Sequence, residues 1–204
     1  MKNENICYIV GAGELHSLPK PREGDLVIAA DGGLDALIGG GITPSVVVGD
    51  LDSLSGRIPE DVEILRHPVE KDETDSHLAY LVGAKRGYAR FALYGCTGGR
   101  DDHTFANYSL LLYAKKQGHD MTLVSKNHDI LVMLNEKREL KAREGATLSV
   151  FALGGDCRVT LSGTYYPADS LLITPDFPIG VSNHATEPTV QIEADGALLV
   201  MLER

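Results

Sequence analysis

Two aspartates one residue apart follow a short apolar run in the first quarter of the chain. Residues 46–48 are all valine, Gly49 ends the run, and Asp50 and Asp52 come next. Side chains two positions apart on extended backbone point to the same side, so both carboxylates can bind one cation. Carboxylate oxygens are hard ligands that suit Mg²⁺ or Mn²⁺. The spacing predicts a metal-binding pair at the carboxyl end of a buried strand.

A second acidic stretch, residues 70–75, precedes a helical pattern over residues 76–85. One interpretation is a solvated loop in which Thr74 or Asp75 caps the helix. The other places Asp72 and Asp75 beside the cation of the first aspartate pair, where carboxylates from two loops would complete its ligand shell. The residue types alone leave both interpretations open.

A glycine-rich turn lies before a later helical pattern and contains Gly98 and Gly99. Such a turn at a helix N-terminus offers backbone N–H groups to a phosphate. Arg100 follows directly and can bind phosphate oxygens with two N–H groups at once. Asp102 and His103 lie beside it. The turn predicts a phosphate-binding loop.

Glycines also follow the first two apolar runs. The motif at residues 11–13 begins like a dinucleotide-binding fingerprint, but His16 stands where the third glycine belongs, which argues against that function. After the second run, Asp31 precedes two glycines and a short helical pattern. Asp31 is either the N-cap of that helix or a ligand-binding residue at a site that glycine opens to close approach.

Apolar runs alternate with helical patterns up to about residue 134, which predicts an α/β domain with a mostly parallel sheet. Ligands of such sheets bind at the carboxyl ends of the strands. Asp31, the Asp50 and Asp52 pair and the turn at residues 98–100 all fall at such ends. They therefore predict a single site.

The C-terminal part lacks helical periodicity and contains short β-prone runs separated by turn residues. Asp195-Gly196 between two such runs predicts a hairpin turn. We expect a small all-β antiparallel sandwich domain over residues 138–204, after the α/β domain over residues 1–137.

Composition narrows the function classes. The formal net charge of −10 over 204 residues disfavours nucleic acids and anionic membranes as partners. The three cysteines are widely spaced and form no CxxC pair, which favours reduced thiols and a cytoplasmic location. No apolar stretch is long enough for a membrane span or a signal peptide.

Together, the motifs resemble those of the thiamine pyrophosphokinase family in order and spacing, over nearly the whole chain. They are Asp31-Gly32-Gly33, Gly49-Asp50-Leu51-Asp52-Ser53, Lys71-Asp72-Glu73-Thr74-Asp75, Gly98-Gly99-Arg100-Asp101-Asp102-His103 and Gly180-Val181-Ser182-Asn183. The resemblance implies an enzyme that transfers pyrophosphate from ATP to thiamine, yields thiamine diphosphate and AMP, and needs Mg²⁺. It also implies a homodimer, with each site shared between the α/β domain of one subunit and the β domain of the other.

The resemblance implies roles for single residues. The implied metal ligands are Asp50, Asp52, Asp72 and Asp75, and the implied nucleotide and phosphate contacts are Asp31, Thr74, Gly98, Gly99, Arg100, Asp102 and His103. On composition alone the segment at residues 180–184 is a surface loop; the resemblance makes Ser182 and Asn183 thiamine contacts. The chain has no tryptophan, whereas some family members stack an indole on thiamine. Tyr165, Tyr166 and Phe177 are the candidates for that contact here.

Two other functions fit some of these residues. A Mg²⁺-dependent nucleotide hydrolase or phosphotransferase with another acceptor would use the same aspartate pair. A binding protein without turnover would keep the ligand contacts alone. The order of all the motifs favours the pyrophosphoryl transferase.

Overall fold

The protein is described by a computed structural model that covers residues 4–50, 59–66 and 72–204. Its contacts divide the chain into two compact units. The first comprises Met1–Leu110 and Gly118–Lys126, and the second comprises Leu111–Gln117 and Asn127–Arg204. Over the described ranges, no helix has the length and apolarity needed to span a membrane.

The first unit contains a parallel sheet, as the alternating pattern predicted. Its described strands are β1 (Ile6–Val10), β2 (Leu26–Ala30), β3 (Val46–Gly49), β4 (Glu63–Arg66), β5 (Arg90–Tyr94) and β6 (Asp120–Val124). They lie in the order β6-β5-β1-β2-β3-β4, and every neighbouring pair is parallel. Every residue of β2 and β3 is buried, which is why both read as unbroken apolar runs.

Three described helices accompany the sheet: α1 (Gly33–Gly39), α2 (Asp75–Lys85) and α3 (Asp101–Lys116). Thr74 caps α2, because its Oγ1 accepts the backbone N–H of His77 at 3.3 Å. The alternative role of Asp31 as the cap of α1 is wrong: Gly32 is the N-cap, without a side-chain cap hydrogen bond. Asp31 lies one residue before this cap in the left-handed region, with a φ of 48°, so the helix begins after it.

The second unit is β-rich and antiparallel. Its described strands are β7 (His128–Lys141), β8 (Thr147–Ala152), β9 (Cys157–Ser162), β10 (Ala168–Ile173), β11 (Asn183–His184) and β12 (Thr189–Glu203). β12 pairs with β7 along its length, with β9 in its first half and with β8 in its second half. Alternate side chains of these strands form one apolar core. The sandwich arrangement stays a prediction.

The predicted hairpin turn at Asp195-Gly196 is wrong. β12 continues through these residues with a register shift between Ala194 and Ala197. Gly196 has a φ of +121°, and its N–H donates to the Oδ1 of Asn135 on β7 at 2.8 Å. Both flanking runs pair with the same long strand, so the glycine marks a bulge that keeps this pairing instead of a turn that would end it.

The three cysteines, Cys7, Cys96 and Cys157, are buried free thiols. This confirms the prediction that they form no disulfide framework. Burial raises the pKa of Cys7 to about 12 and that of Cys96 to about 11. Both are therefore neutral thiols at physiological pH and weak nucleophiles.

Candidate functional site

A cavity of about 310 Å³ in the first unit lies where β1, β2 and β5 end. Its lining includes five residues that the sequence had singled out, namely Asp31, Gly98, Gly99, Arg100 and His103. Sequence reasoning did not assign the other lining residues, which are Gly11, Ala12, Gly13, Ser76, Gly95, Cys96, Thr104 and Asn107. The carboxyl ends of parallel strands thus converge on one cavity, as the strand-end argument expects.

The loop between β5 and α3 forms one wall of this cavity. Gly95, Gly98 and Gly99 have φ values of +60°, +76° and +69°, in the left-handed region where a side chain is strained. A Cβ on Gly98 would come within 2.6 Å of the Glu14 side chain, whereas one on Gly99 would meet nothing within 4 Å. The glycines therefore allow the tight turn that brings Arg100 to the cavity.

The loop that follows β1 packs directly on this turn. The N–H groups of Gly11, Gly13 and Glu14 donate to the carbonyls of Tyr94, Gly95 and Thr97, at 2.8, 2.7 and 2.9 Å. A Cβ on Gly13 would lie 2.6 Å from the oxygen of Thr97, so only glycine permits this approach. The two glycines after β1 were visible in the sequence. These glycines allow the loop after β1 to pack against the turn after β5. A search for dinucleotide-binding motifs does not detect this role.

Arg100 is exposed at the N-terminus of α3. Its Nε and Nη2 donate to the two carboxylate oxygens of Asp102 at 3.1 and 2.6 Å. This hydrogen-bonded pairing lowers the pKa of Asp102 to about 2, and the N–H of His103, which donates to Oδ1 at 2.9 Å, acts in the same direction. The Nε and Nη2 groups of Arg100 thus bind a carboxylate in a bidentate way. A phosphate group would be bound in the same way.

The predicted metal ligand Asp50 lies at a strand end next to that of Asp31. Asp50 follows β3, and the N–H of Asp31 donates to the carbonyl of Val48 at 2.8 Å, so these two aspartates end adjacent strands. Asp75 begins α2, and Asp72 precedes it as an exposed residue. Asp52 lies outside the described residues.

The four predicted aspartates carry carboxylate oxygens, which are the ligands that Mg²⁺ prefers. Their side-chain chemistry therefore fits a divalent cation. Among the described residues, no three His, Cys, Asp or Glu side chains lie together in a metal-binding arrangement. In the same part of the chain, Asp50, Asp72, Thr74 and Asp75 are not among the residues that line the cavity. The shared cation therefore stays a prediction that depends on Asp52.

In the second unit, Asn183 is only 8% exposed. Its Oδ1 accepts the N–H of Tyr166 at 3.0 Å, and its Nδ2 donates to the carbonyl of Tyr166 at 2.8 Å. The hydroxyl of Thr164, which is also buried, donates to that carbonyl at 3.2 Å. The amide of Asn183 thus pairs with the backbone of Tyr166 as a neighbouring strand would. Ser182 is exposed, with a φ of 60°, and its N–H donates to the Oγ of Ser149.

Aromatic side chains project beside this pairing. Tyr165 and Tyr166 are 60% and 62% exposed, and their rings meet edge to face with centroids 4.8 Å apart. The ring of His184 lies 5.2 Å from that of Tyr165. Tyr166 and Asn183 also line a mainly apolar cavity of about 310 Å³ within the second unit. Phe177 is 64% exposed.

Comparisons with known proteins cover nearly the whole chain. The catalytic domain of thiamin pyrophosphokinase matches residues 22–123, and the vitamin B1 binding domain of thiamin pyrophosphokinase matches residues 127–199. The thiamine pyrophosphokinase of Bacillus subtilis (strain 168) is 27% identical over 213 residues, which cover 99% of this chain and 98% of that protein.

Solved structures give the same result for the fold. The crystal structure of thiamine pyrophosphokinase from Bacillus subtilis has a TM-score of 0.88 at 24% identity and covers 98% of both chains. That of thiamin pyrophosphokinase from Geobacillus thermodenitrificans has a TM-score of 0.82 at 25% identity and covers 97% of this chain and 96% of its own. The yeast thiamin pyrophosphokinase structure has a TM-score of 0.80 at 14% identity, with 100% and 87% covered.

Proposed function

The chain belongs to the thiamin pyrophosphokinase family, and we propose that the cavity of its first unit receives the polyphosphate of ATP while pyrophosphate is transferred to thiamine. The products are thiamine diphosphate and AMP. The observation that carries this proposal is the convergence of Gly98, Gly99, Arg100 and Asp31 on one cavity at the ends of parallel strands.

The cavity suits an anion on three grounds. The turn at Gly98 and Gly99 leads into the N-terminus of α3, where the helix dipole and the backbone N–H groups of the first turn favour negative charge. Arg100 adds a fixed positive charge with a planar set of donors. We assign Asp31, which follows β2, to the hydroxyl or amino groups of the nucleoside, because a carboxylate repels phosphate and accepts hydrogen bonds from such donors.

Pyrophosphoryl transfer demands little covalent work from the protein. The oxygen of thiamine attacks the β-phosphorus, and AMP leaves. Catalysis then rests on holding the reactants in line and on stabilising the charge that spreads over the transferred group. In our proposal Arg100 and the amides of Gly98 and Gly99 stabilise that charge, while Thr74, Asp102 and His103 lie around the nucleotide.

We propose that Asp50, Asp52, Asp72 and Asp75 hold a Mg²⁺ ion. When bound, this ion neutralises polyphosphate charge and orients its oxygens. The carboxylates have two further uses. Their negative charge attracts the cationic thiazolium ring of thiamine, and one of them accepts the proton of the attacking hydroxyl.

The acceptor side of the reaction is assigned to the second unit. We propose that Ser182 and Asn183 belong to the thiamine-binding loop, Asn183 acting through the backbone of Tyr166, and that Tyr165, Tyr166 or Phe177 stacks on the thiamine rings. The exposed aromatic side chains support this assignment, because an uncovered aromatic face suits a cationic heterocycle. The division of roles between residues 1–137, for nucleotide and metal, and residues 138–204, for thiamine, stays a prediction.

Homodimer formation, with sites at the subunit interface, is part of the proposal, as is a cytoplasmic location. The exposed apolar residues Tyr165, Tyr166, Leu171, Leu172, Phe177, Ile179 and Val181 support an interface on the second unit, because such a concentration of apolar surface is typical of interaction sites. Size-exclusion chromatography with light scattering should give twice the chain mass of 22.0 kDa. A monomer at micromolar concentration would contradict the shared site.

The decisive experiment follows nucleotide products during incubation with ATP, thiamine and Mg²⁺. We expect AMP and thiamine diphosphate in equal amounts; ADP as the product would instead indicate a phosphotransferase. Asp52→Asn should lower kcat about a hundredfold or more while leaving the melting temperature in the absence of ligand unchanged, since it replaces a carboxylate ligand of the proposed ion with a neutral amide. Near-normal activity of this variant would refute the metal assignment.

A further inference from the structure

We propose that Asn107 is a positioning residue for this reaction, one that holds the loop after β5 in the shape that receives the polyphosphate. The inference rests on the proposed nucleotide site in the first unit. It concerns a residue on α3 that no sequence motif had pointed to. Its support comes from burial, from one hydrogen bond and from the pattern of bonds around that loop.

Asn107 is only 5% exposed. The described residues contain three buried polar side chains, Asn107, Thr164 and Asn183, and of these Asn107 lies in the first unit. An amide buried without hydrogen bonds destabilises the fold, so a buried asparagine needs a hydrogen-bond partner. The partner of Asn107 is the carbonyl of Cys96, which accepts from Nδ2 at 2.8 Å.

This bond completes a series along the loop. The carbonyls of Tyr94, Gly95, Cys96 and Thr97 all accept a hydrogen bond. Tyr94, Gly95 and Thr97 each accept from a backbone N–H of the loop that follows β1, and Tyr94 also accepts from the Sγ of Cys96, whereas the donor to the Cys96 carbonyl is a side chain. A substitution can therefore remove the bond to Cys96 and leave the other three in place.

The consequence for an anion is electrostatic. Each carbonyl oxygen carries partial negative charge, and an unpaired one beside a polyphosphate would repel it. Asn107 lines the same cavity as Gly98, Gly99 and Arg100, so the Cys96 carbonyl that it pairs belongs to the wall of the proposed phosphate site. The amide keeps that carbonyl bonded to a donor.

The bond also has a geometric consequence. It joins residue 96, directly after β5, to the second turn of α3, across 11 positions of the chain. The N-terminal turn of α3, with Arg100 and His103, is thereby fixed relative to the glycine turn. Catalysis by positioning is sensitive to such fixing, because a displacement of about 1 Å can cost on the order of a hundredfold in rate.

The test uses two substitutions in the full-length chain. Asn107→Asp keeps the volume but removes the donor and adds negative charge beside the polyphosphate; Asn107→Ala removes the whole amide. We expect kcat/KM for ATP to fall about tenfold in the alanine variant and further in the aspartate variant. The KM for thiamine should stay within about twofold of the unmodified value, because in our proposal thiamine is bound by the second unit. Ser109→Ala is the control on the same helix, since Ser109 is exposed and donates only to the carbonyl of Phe105.

Binding of inorganic tripolyphosphate, measured by calorimetry, separates this inference from the proposed function. The inference predicts weaker tripolyphosphate binding in both Asn107 variants than in the unmodified chain and in Ser109→Ala. If either variant is folded by circular dichroism and keeps its KM for ATP and its tripolyphosphate affinity, Asn107 has no positioning role. An equal rise in both KM values would also overturn the inference, because it would indicate general destabilisation. Failure of the unmodified chain to release AMP would instead refute the proposed function.

Discussion

The loop after β5 in the first unit and the segment Thr164–Tyr166 in the second unit are held by different means. The first is bonded mainly by the backbone of a neighbouring loop, and its shape depends on glycines in the left-handed region. In the second, a backbone bond from the N–H of Tyr165 to the carbonyl of His184 is joined by side chains, because Asn183 and Thr164 together bond both backbone groups of Tyr166. Each region nevertheless has a backbone carbonyl that accepts a hydrogen bond from a buried asparagine elsewhere in its unit.

The two regions should therefore respond differently to the loss of their asparagine. In the first unit, one asparagine supplies one bond among several backbone bonds, so its loss should change the site more than the fold. In the second unit, one asparagine supplies both bonds of a reciprocal pair, so its loss leaves the N–H of Tyr166 without its acceptor, while Thr164 still bonds the carbonyl. We therefore expect Asn107 to matter most for ATP and Asn183 to matter most for stability.

The largest effect is expected for Asn183→Ala. The free energy of unfolding should fall by about 3 kcal/mol, because the N–H of Tyr166 loses its acceptor and the amide leaves a buried void. The melting temperature should fall by about 6–12 °C for a chain of this size. Urea denaturation followed by circular dichroism, together with calorimetry, measures both quantities.

Thr164→Val is the graded control for that experiment. The valine keeps the volume and removes only the hydroxyl donor to the carbonyl of Tyr166, which Asn183 still bonds. Its cost should therefore be the smaller of the two. If Asn183→Ala costs less than Asn107→Ala in unfolding free energy, the contrast between the two units is wrong.

Gly98→Ala and Gly99→Ala form the next comparison, because the two glycines share a left-handed φ and differ in their surroundings. Alanine at position 99 should cost about 1–2 kcal/mol through backbone strain alone. Alanine at position 98 should cost more, since its Cβ would displace the side chain of Glu14, which lies 2.6 Å from that point. Melting temperatures of the two variants, with the KM for ATP of each, measure the difference. Equal melting temperatures would mean that Glu14 moves aside without cost.

The two loops also explain what the sequence could predict. Glycines that a turn requires are visible in a sequence, and the apolar runs that end before them are visible too, so the strand ends and the turn at Gly98 were identified. The side-chain amides of Asn107 and Asn183 carry no such mark. The sequence around an asparagine does not show whether its side chain is exposed to solvent or buried against a carbonyl that is distant along the chain. That difference depends on the folded structure.

Gly196 shows a limit of glycine signals as well. Asp-Gly between two β-prone runs favours a hairpin turn, yet here both runs pair with β7 and the glycine lies in a bulge. The choice depends on a partner strand about sixty positions away along the chain. Periodicity and local turn preference contain no information about that partner, which is why strands were predicted well and their connection was not.

The smallest effect is expected for Asp102→Asn, which tests whether the carboxylate competes with phosphate for Arg100. The pair is exposed, so the melting temperature should not change measurably. The KM for ATP should fall by about twofold or more, because Arg100 no longer has to leave an anionic partner before it binds phosphate. Tripolyphosphate binding should tighten by a similar factor, while the KM for thiamine stays constant.

The pH dependence of this effect follows from the pKa of Asp102, which is lowered from 3.8 to about 2 by Arg100. A carboxylate with a lowered pKa contributes its interaction fully above its ordinary value and loses it as the pH falls through the folded value, so the pair is intact above about pH 4. The ratio of KM values between the unmodified chain and Asp102→Asn should therefore be constant from about pH 5 to pH 9. A ratio that changes across this range would show that another titrating group controls Arg100.

A rise in KM on substitution would show that Asp102 orients the guanidinium for phosphate, so that the exposed ion pair assists binding instead of competing with it.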